Sequence, residues 1–231
     1  MQAEVDVNKQ QMTYFGNRIC PFAQRAWWTL VEKNADFDYV HVELGAKKPA
    51  WYKEAFNPSG TVPSLYVSGR PVFESSIAVE FLEEALADGA ALLPKDPVDR
   101  AAARQFVAAI DVKPLYGYLM EQDRSQDGKH AAAVGAALGK LEALMEARQP
   151  QAGPFLLGDQ LSIAEVNLAP FLDRFSVLLK HYRDYDIFAD GRLPRLAAAF
   201  AAVKQRPAWQ KTSQVSVIWF FGMARELPLS V

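Results

Sequence analysis

Every strand-like run in this chain falls before residue 74, and everything after a Gly- and Pro-rich stretch at 88–97 reads as helix. That division constrains the fold more than any single motif does. A sheet built only from the first part must be small and must be covered by that part's own helices. From Met12 the hydrophobic period changes repeatedly: a short apolar run at Met12 to Phe15, a helical stretch at Pro21 to Lys33, and an alternating run at Phe37 to Leu44. A Pro49-led helix, two short apolar runs around Ser64 to Val67 and Pro71 to Phe73, and a helix from Ser75 complete the order β-α-β-α-β-β-α. Ser68-Gly69-Arg70 is a hairpin turn between the last two strands, and the final helix repeats Ile77, Ala78, Phe81, Leu82 and Ala85 along one face.

In the second part, Val98 to Glu121, Lys129 to Arg148, Ile163 to Lys180 and Leu193 to Gln205 have helical periodicity with no strand signal between them. The expected organisation is a polar N-terminal extension at 1–11, an α/β domain at 12–87, a linker at 88–97 and an all-helical domain at 98–231. Three alanine-rich stretches, beginning at Ala101, Ala131 and Ala197, have no fixed repeat and suit close helix packing. Ser162-Ile163-Ala164-Glu165 has the spacing of a capping box, with Leu161 and Val166 placed for a hydrophobic staple.

The balance of charge removes several function classes. With 25 basic against 27 acidic residues in 231, the net charge of -2 gives no general attraction to nucleic acid or to an anionic membrane. The polar start of the chain lacks a signal-peptide core, so a cytoplasmic location is expected, and Val215 to Met223 is too short to span a bilayer. One cysteine excludes an internal disulfide and a cysteine-rich zinc site, and His41, His130 and His181 lack ligand spacing, so no metal centre is expected.

That cysteine, Cys20, is the residue with chemical promise. It stands where a strand gives way to a helix, and Pro21 after it suits the first helical position, which makes Cys20 the N-cap. There the sulfur meets the N–H groups of Phe22 and Ala23 and the positive end of the helix dipole, which favour thiolate over thiol. The bland alternative is a small buried hydrophobe.

Cys20-Pro21-Phe22-Ala23 resembles the active site of glutaredoxins with the second cysteine replaced by Ala23, and the element order is that of the thioredoxin-like fold. With a helical domain attached, the chain resembles the cytosolic glutathione transferases, most closely the omega class and its cysteine-type relatives, the lambda class and dehydroascorbate reductases. Lys48-Pro49-Ala50-Trp51, Asn57 to Pro63 and Glu74-Ser75-Ser76-Ile77 support the resemblance in the expected order. It implies a thioredoxin-like α/β domain followed by an all-α domain, glutathione as a substrate and no permanently bound cofactor.

The same resemblance implies a glutathione site made of Phe22, Lys48, Val62, Pro63, Glu74 and Ser75. A cis bond before Pro63 would present the Val62 backbone to the cysteinyl part of glutathione as a short antiparallel ladder. Ser75, capping the helix after the hairpin, would hold the γ-glutamyl carboxylate, with Glu74 taking the ammonium. A lysine on the glycyl carboxylate is implied at Lys48, with Lys47 beside it as the alternative.

The activity implied is a monothiol one: Cys20 attacks a disulfide or thioether of glutathione, takes up the tripeptide as a mixed disulfide, and is released by a second glutathione. Two rivals stand beside it. Tyr14-Phe15, at the end of the first strand, resembles the position from which tyrosine-type transferases donate a hydroxyl to the thiolate of glutathione, which would make the protein a conjugating enzyme acting on electrophiles. A non-catalytic regulator or assembly module with this fold is the other. The second substrate is a small electrophile, disulfide or thioether, expected in a pocket lined by Tyr116, Tyr118, Phe171, Phe175 and the Trp219-Phe220-Phe221 run. The family includes homodimers and monomers alike.

Overall fold

The computed structural model describes residues 12–148 and 152–213. The expected N-terminal extension and Trp219-Phe220-Phe221 lie outside the described residues. These form two compact units: one runs to Leu93 and takes in Arg206–Ser213, and the other spans Pro94–Gln205.

In the first unit β1 (Met12–Gly16) is flanked by β2 (Asp38–His41), parallel to it, and by antiparallel β3 (Ser64–Val67). β4 (Arg70–Phe73) pairs with β3 and closes the order β2-β1-β3-β4. The parallel pair requires a crossover, which α1 (Pro21–Glu32) supplies. The β3–β4 hairpin turns on Ser68 and Gly69, both at positive φ as a tight hairpin demands. α2 (Ala50–Ala55) and α3 (Ser75–Ala85) complete the β-α-β-α-β-β-α order of a thioredoxin-like domain.

Side chains alternate across a strand, and that decides which residues meet. Met12 and Tyr14 join Leu65 and Val67 in one cluster with Ala26 and Leu30 of α1 and Ala78 and Leu82 of α3. Phe15 joins a second cluster with Val42, Tyr52 and Val62, and Cys20 packs against it. The second cluster positions the site.

α9 (Pro207–Thr212) departs from the expected division at 88–97, because it packs on α1 within the first unit. The cause is a buried ion pair: Arg206 donates from Nε and Nη2 to Glu32 at 2.7 and 2.8 Å, and Trp28 Nε1 donates to the same carboxylate at 2.9 Å. Trp28 meets Trp209 edge to face at 4.8 Å. Beside them Gly89, at φ +76°, leaves no room for a side chain, since a Cβ would lie 2.0 Å from the Glu32 carbonyl oxygen.

The second unit consists of α4 (Pro97–Ala109), α5 (Lys113–Met120), α6 (Asp127–Glu146), α7 (Ile163–Arg183) and α8 (Pro194–Lys204). The continuous helix expected over Val98 to Glu121 is broken into α4 and α5. Pro114 has no N–H for the Ile110 carbonyl and its ring would clash there in a continuous helix, and Ile110 is extended, at ψ 109°. The Ser162 capping box forms, and the Glu165 carboxylate also accepts from Leu156 N at 2.7 Å. No helix among the described residues is long and apolar enough to cross a membrane.

The start of α8 is capped from another helix. Buried Glu142 on α6 accepts from Arg195 N at 2.6 Å and Leu196 N at 2.9 Å, two first-turn N–H groups that otherwise lack acceptors. Glu142→Ala is expected to cost about 2 kcal/mol, a Tm fall of roughly 4–8 °C, because it leaves those donors buried and unsatisfied. Glu142→Gln, which keeps an acceptor, should lose less. An unchanged Tm in Glu142→Ala would contradict the capping role.

Candidate active site

The turn from β1 into α1 is held by Asn17. Its Nδ2 donates to the Val42 carbonyl at 3.0 Å, its Oδ1 accepts from Ile19 N at 3.2 Å, and its own carbonyl accepts from Cys20 N at 3.1 Å. Cys20 therefore arrives at the N-cap of α1 in an extended conformation, φ -73° and ψ 120°, with Pro21 as the first helical residue. The sulfur makes no capping hydrogen bond to the first turn, which corrects the expectation that it would meet the N–H groups of Phe22 and Ala23. A thiol is a weak acceptor, and here the side chain is half-buried against the cluster that contains Phe15, Val42, Tyr52 and Val62.

Across from the thiol the chain between α2 and β3 is a tightly bonded turn. Fully buried Asn57 donates to the Thr61 carbonyl at 2.7 Å and accepts from Ser59 N at 3.1 Å. The Tyr52 hydroxyl donates to the same Thr61 carbonyl at 2.7 Å and lies 3.0 Å from Ser64 Oγ. Burial pushes the Tyr52 hydroxyl above its ordinary pKa, negative charge at Cys20 adds to the rise, and hydrogen bonds with Ser64 and Asn57 act the other way. This frame delivers Val62-Pro63, whose bond is cis. Among the described residues no hydrogen bond engages the Val62 main chain. The Lys48 ammonium donates to the Gly60 carbonyl, which ties Lys48 to this turn, while Lys47 is exposed.

The third part is the start of α3. Glu74 occupies the N-cap at φ +68° and ψ 113°, a backbone region uncommon for a residue with a Cβ. Such a conformation persists only where its surroundings impose it, and it clusters at binding sites. Ser75 is thus the first helical residue, not the cap that the sequence suggested. Its Oγ accepts from Arg25 Nη1 at 3.0 Å, and the Arg25 guanidinium lies 5.2 Å from the centre of the Phe22 ring. The Glu74 carboxylate is exposed and enters no ion pair or hydrogen bond among the described residues.

Cys20, Phe22, Val62, Pro63, Glu74 and Ser75 thus all lie on three connected segments of one unit, with Lys48 on the Gly60 side. Tyr14 does not join them: it is 1% exposed, packs in the α1–α3 cluster, and its hydroxyl donates to the Ala23 carbonyl at 2.9 Å. Gly16 permits that reach, since a Cβ there would lie 2.2 Å from the Tyr14 oxygen. The expected pocket aromatics belong to the second unit and are mostly core. Of the four described, Phe171, Phe175 and Tyr118 are buried, Tyr118 between His130 and Tyr185, and Tyr116 is exposed, edge to face with Phe175. Among the described residues no cluster of His, Cys, Asp and Glu has the makings of a metal site.

Sequence reasoning assigned no role to Asn17, Tyr52 and Arg25, which organise the site. Arg25 carried a signal: it falls three residues after Phe22 and four before Thr29, a charge on the buried face of α1.

A thioredoxin-like unit with one cysteine at the start of its first helix, continued by a helical unit, defines a glutathione-transferase architecture. The family model for the glutathione S-transferase N-terminal domain matches residues 19–85, which include Cys20, Phe22, Lys48, Val62, Pro63, Glu74 and Ser75, and that for the C-terminal domain matches residues 105–212. Protein IN2-1 of Zea mays is 36% identical over 197 residues, 84% of this chain and 76% of that protein. Glutathione S-transferase L1 of Arabidopsis thaliana is 31% identical, over 84% of this chain and 78% of its own. The solved structure of glutathione transferase Omega 2C from Trametes versicolor superposes with a TM-score of 0.76 at 29% identity, covering 94% of this chain and 98% of that one. The chain belongs to the glutathione S-transferase family.

Proposed function

We propose that this chain is a cysteine-type transferase acting as a glutathione-dependent thiol transferase or reductase. The observation that carries the reading is the placement of its one cysteine at the N-cap of α1, with the Tyr14 hydroxyl committed elsewhere. Glutathione would lie with its γ-glutamyl group at Glu74 and Ser75, its cysteinyl backbone along Val62 and its glycyl carboxylate toward Lys48. The likeness to proteins named glutathione S-transferase L1 and glutathione transferase Omega 2C supports the same reading.

In the proposed reaction the Cys20 thiolate attacks one sulfur of a glutathione disulfide. The S–S bond breaks, the departing thiolate takes a proton from solvent, and Cys20 keeps a mixed disulfide. A second glutathione thiolate then attacks that disulfide and regenerates Cys20, so two electrons pass from thiol to disulfide with no other oxidant. The discriminating experiment is a panel of a glutathionylated peptide, dehydroascorbate and a phenacyl-glutathione, set beside a chlorodinitrobenzene as conjugation probe. Turnover of one of the first three should exceed conjugation, and dominant conjugation would overturn the reading.

The binding assignments have their own test. Ser75→Ala is expected to raise the KM for glutathione about tenfold or more, the worth of a charge-assisted hydrogen bond. Exposed Glu74 and half-buried Lys48, whose ammonium already donates to the Gly60 carbonyl, should count for less, about fivefold or under in each alanine variant. Unchanged KM values in all three would place the tripeptide elsewhere.

A further inference from the structure

Arg25 is buried on α1 and reaches across to the first residue of α3, where Nη1 donates to Ser75 Oγ at 3.0 Å. A guanidinium is costly to remove from water, and one nitrogen of this one donates directly to a hydroxyl at the start of the neighbouring helix. A serine hydroxyl has one hydrogen and two lone pairs. Accepting from Arg25 turns that hydrogen away from the guanidinium, so Ser75 becomes a donor to whatever stands at the mouth of α3. The Ser75 N–H belongs to the first helical turn, whose N–H groups have no acceptor within the helix. Two donors therefore leave the same residue, a cation supports them from behind, and the Glu74 carboxylate stands one residue away.

We infer that Arg25 is a positioning residue that makes this end of the site selective for the α-carboxylate of a γ-glutamyl group. The arrangement, an acid at Glu74 and neutral donors at Ser75 backed by the Arg25 cation, matches a zwitterionic amino-acid head. On the same helix the Phe22 ring makes a cation–π contact with the guanidinium, and the Arg25–Ser75 bond links the helix bearing the thiol to the site that reads the far end of the tripeptide. The inference rests on the assignment of Ser75 to glutathione.

The test compares dissociation constants for glutathione and for γ-aminobutyryl-Cys-Gly, which lacks only that carboxylate. The parent protein should prefer glutathione by about thirtyfold, as expected when a charge-assisted contact is lost. In Arg25→Gln the preference should shrink to about threefold through weaker glutathione binding, while kcat at saturating glutathione stays within about twofold. Arg25→Lys, which keeps a cation and a donor, should retain a preference of about tenfold. Parental preference in Arg25→Gln, or equal weakening toward both peptides, would overturn the inference. If Arg25→Gln does not fold, a folded Arg25→Lys that has lost the preference overturns it as well. Ser75→Ala separates the two layers: if it leaves the preference intact, the Ser75 assignment itself fails. If Ser75→Ala removes the preference and Arg25→Gln does not, only the role of Arg25 fails.

Discussion

Cys20→Ser is expected to lower glutathione-dependent thiol transfer about a thousandfold or more, the scale of losing a covalent nucleophile. A serine hydroxyl stays protonated at neutral pH and cannot form a disulfide. The fold should tolerate the change, because Cys20 makes no capping bond and serine is among the best N-cap residues, so Tm should hold or rise. Conjugation can survive or increase in this variant, since a serine there is able to donate to the thiolate of bound glutathione. Tyr14→Phe serves as the control. It removes the buried bond to the Ala23 carbonyl at a cost of about 1 kcal/mol of stability and should leave thiol transfer nearly unchanged. Full reductase activity in Cys20→Ser, with collapse in Tyr14→Phe, would reverse the assignment.

Glu32→Ala should have the largest effect on stability. The carboxylate is buried, accepts from both Arg206 nitrogens and from Trp28, and its loss leaves a half-buried guanidinium and an indole N–H without acceptors. Breaking a buried pair from one side costs about 3 kcal/mol or more, a Tm fall of roughly 6–12 °C for a chain of this size. Because the pair ties Arg206–Ser213 to α1, the Trp28–Trp209 contact should loosen, visible as a red shift in tryptophan emission. The Glu32→Ala/Arg206→Ala double variant should lose less than the sum of the single changes. Additive losses would mean that the two side chains do not act as a pair.

Much of this was legible in residue patterns, and the physical reasons differ from element to element. Strand alternation separates Tyr14 from Phe15, and Pro21 marks the start of α1, so the thiol's position could be read locally. The Ser162 box was legible because both partners lie within one turn. What local patterns do not reveal are features set by distant contacts. The place of α9 depends on Glu32, 174 residues before Arg206, and the cap on α8 comes from Glu142, more than 50 residues upstream. The Arg25–Ser75 bond spans 50 residues, so neither residue's neighbours announce it. Aromatic residues such as Phe171 and Tyr118 read equally well as pocket or core, and only packing decided for core.

The central claim is that Cys20 carries glutathione during turnover. Intact-mass spectrometry of acid-quenched reactions, with a glutathionylated peptide as substrate and glutathione limiting, tests it most directly. The account predicts one glutathionyl adduct, located on Cys20, that builds up during turnover and is discharged by added glutathione at a rate no slower than kcat. Protein that stays unmodified while product accumulates, or an adduct that glutathione discharges more slowly than turnover, would contradict it.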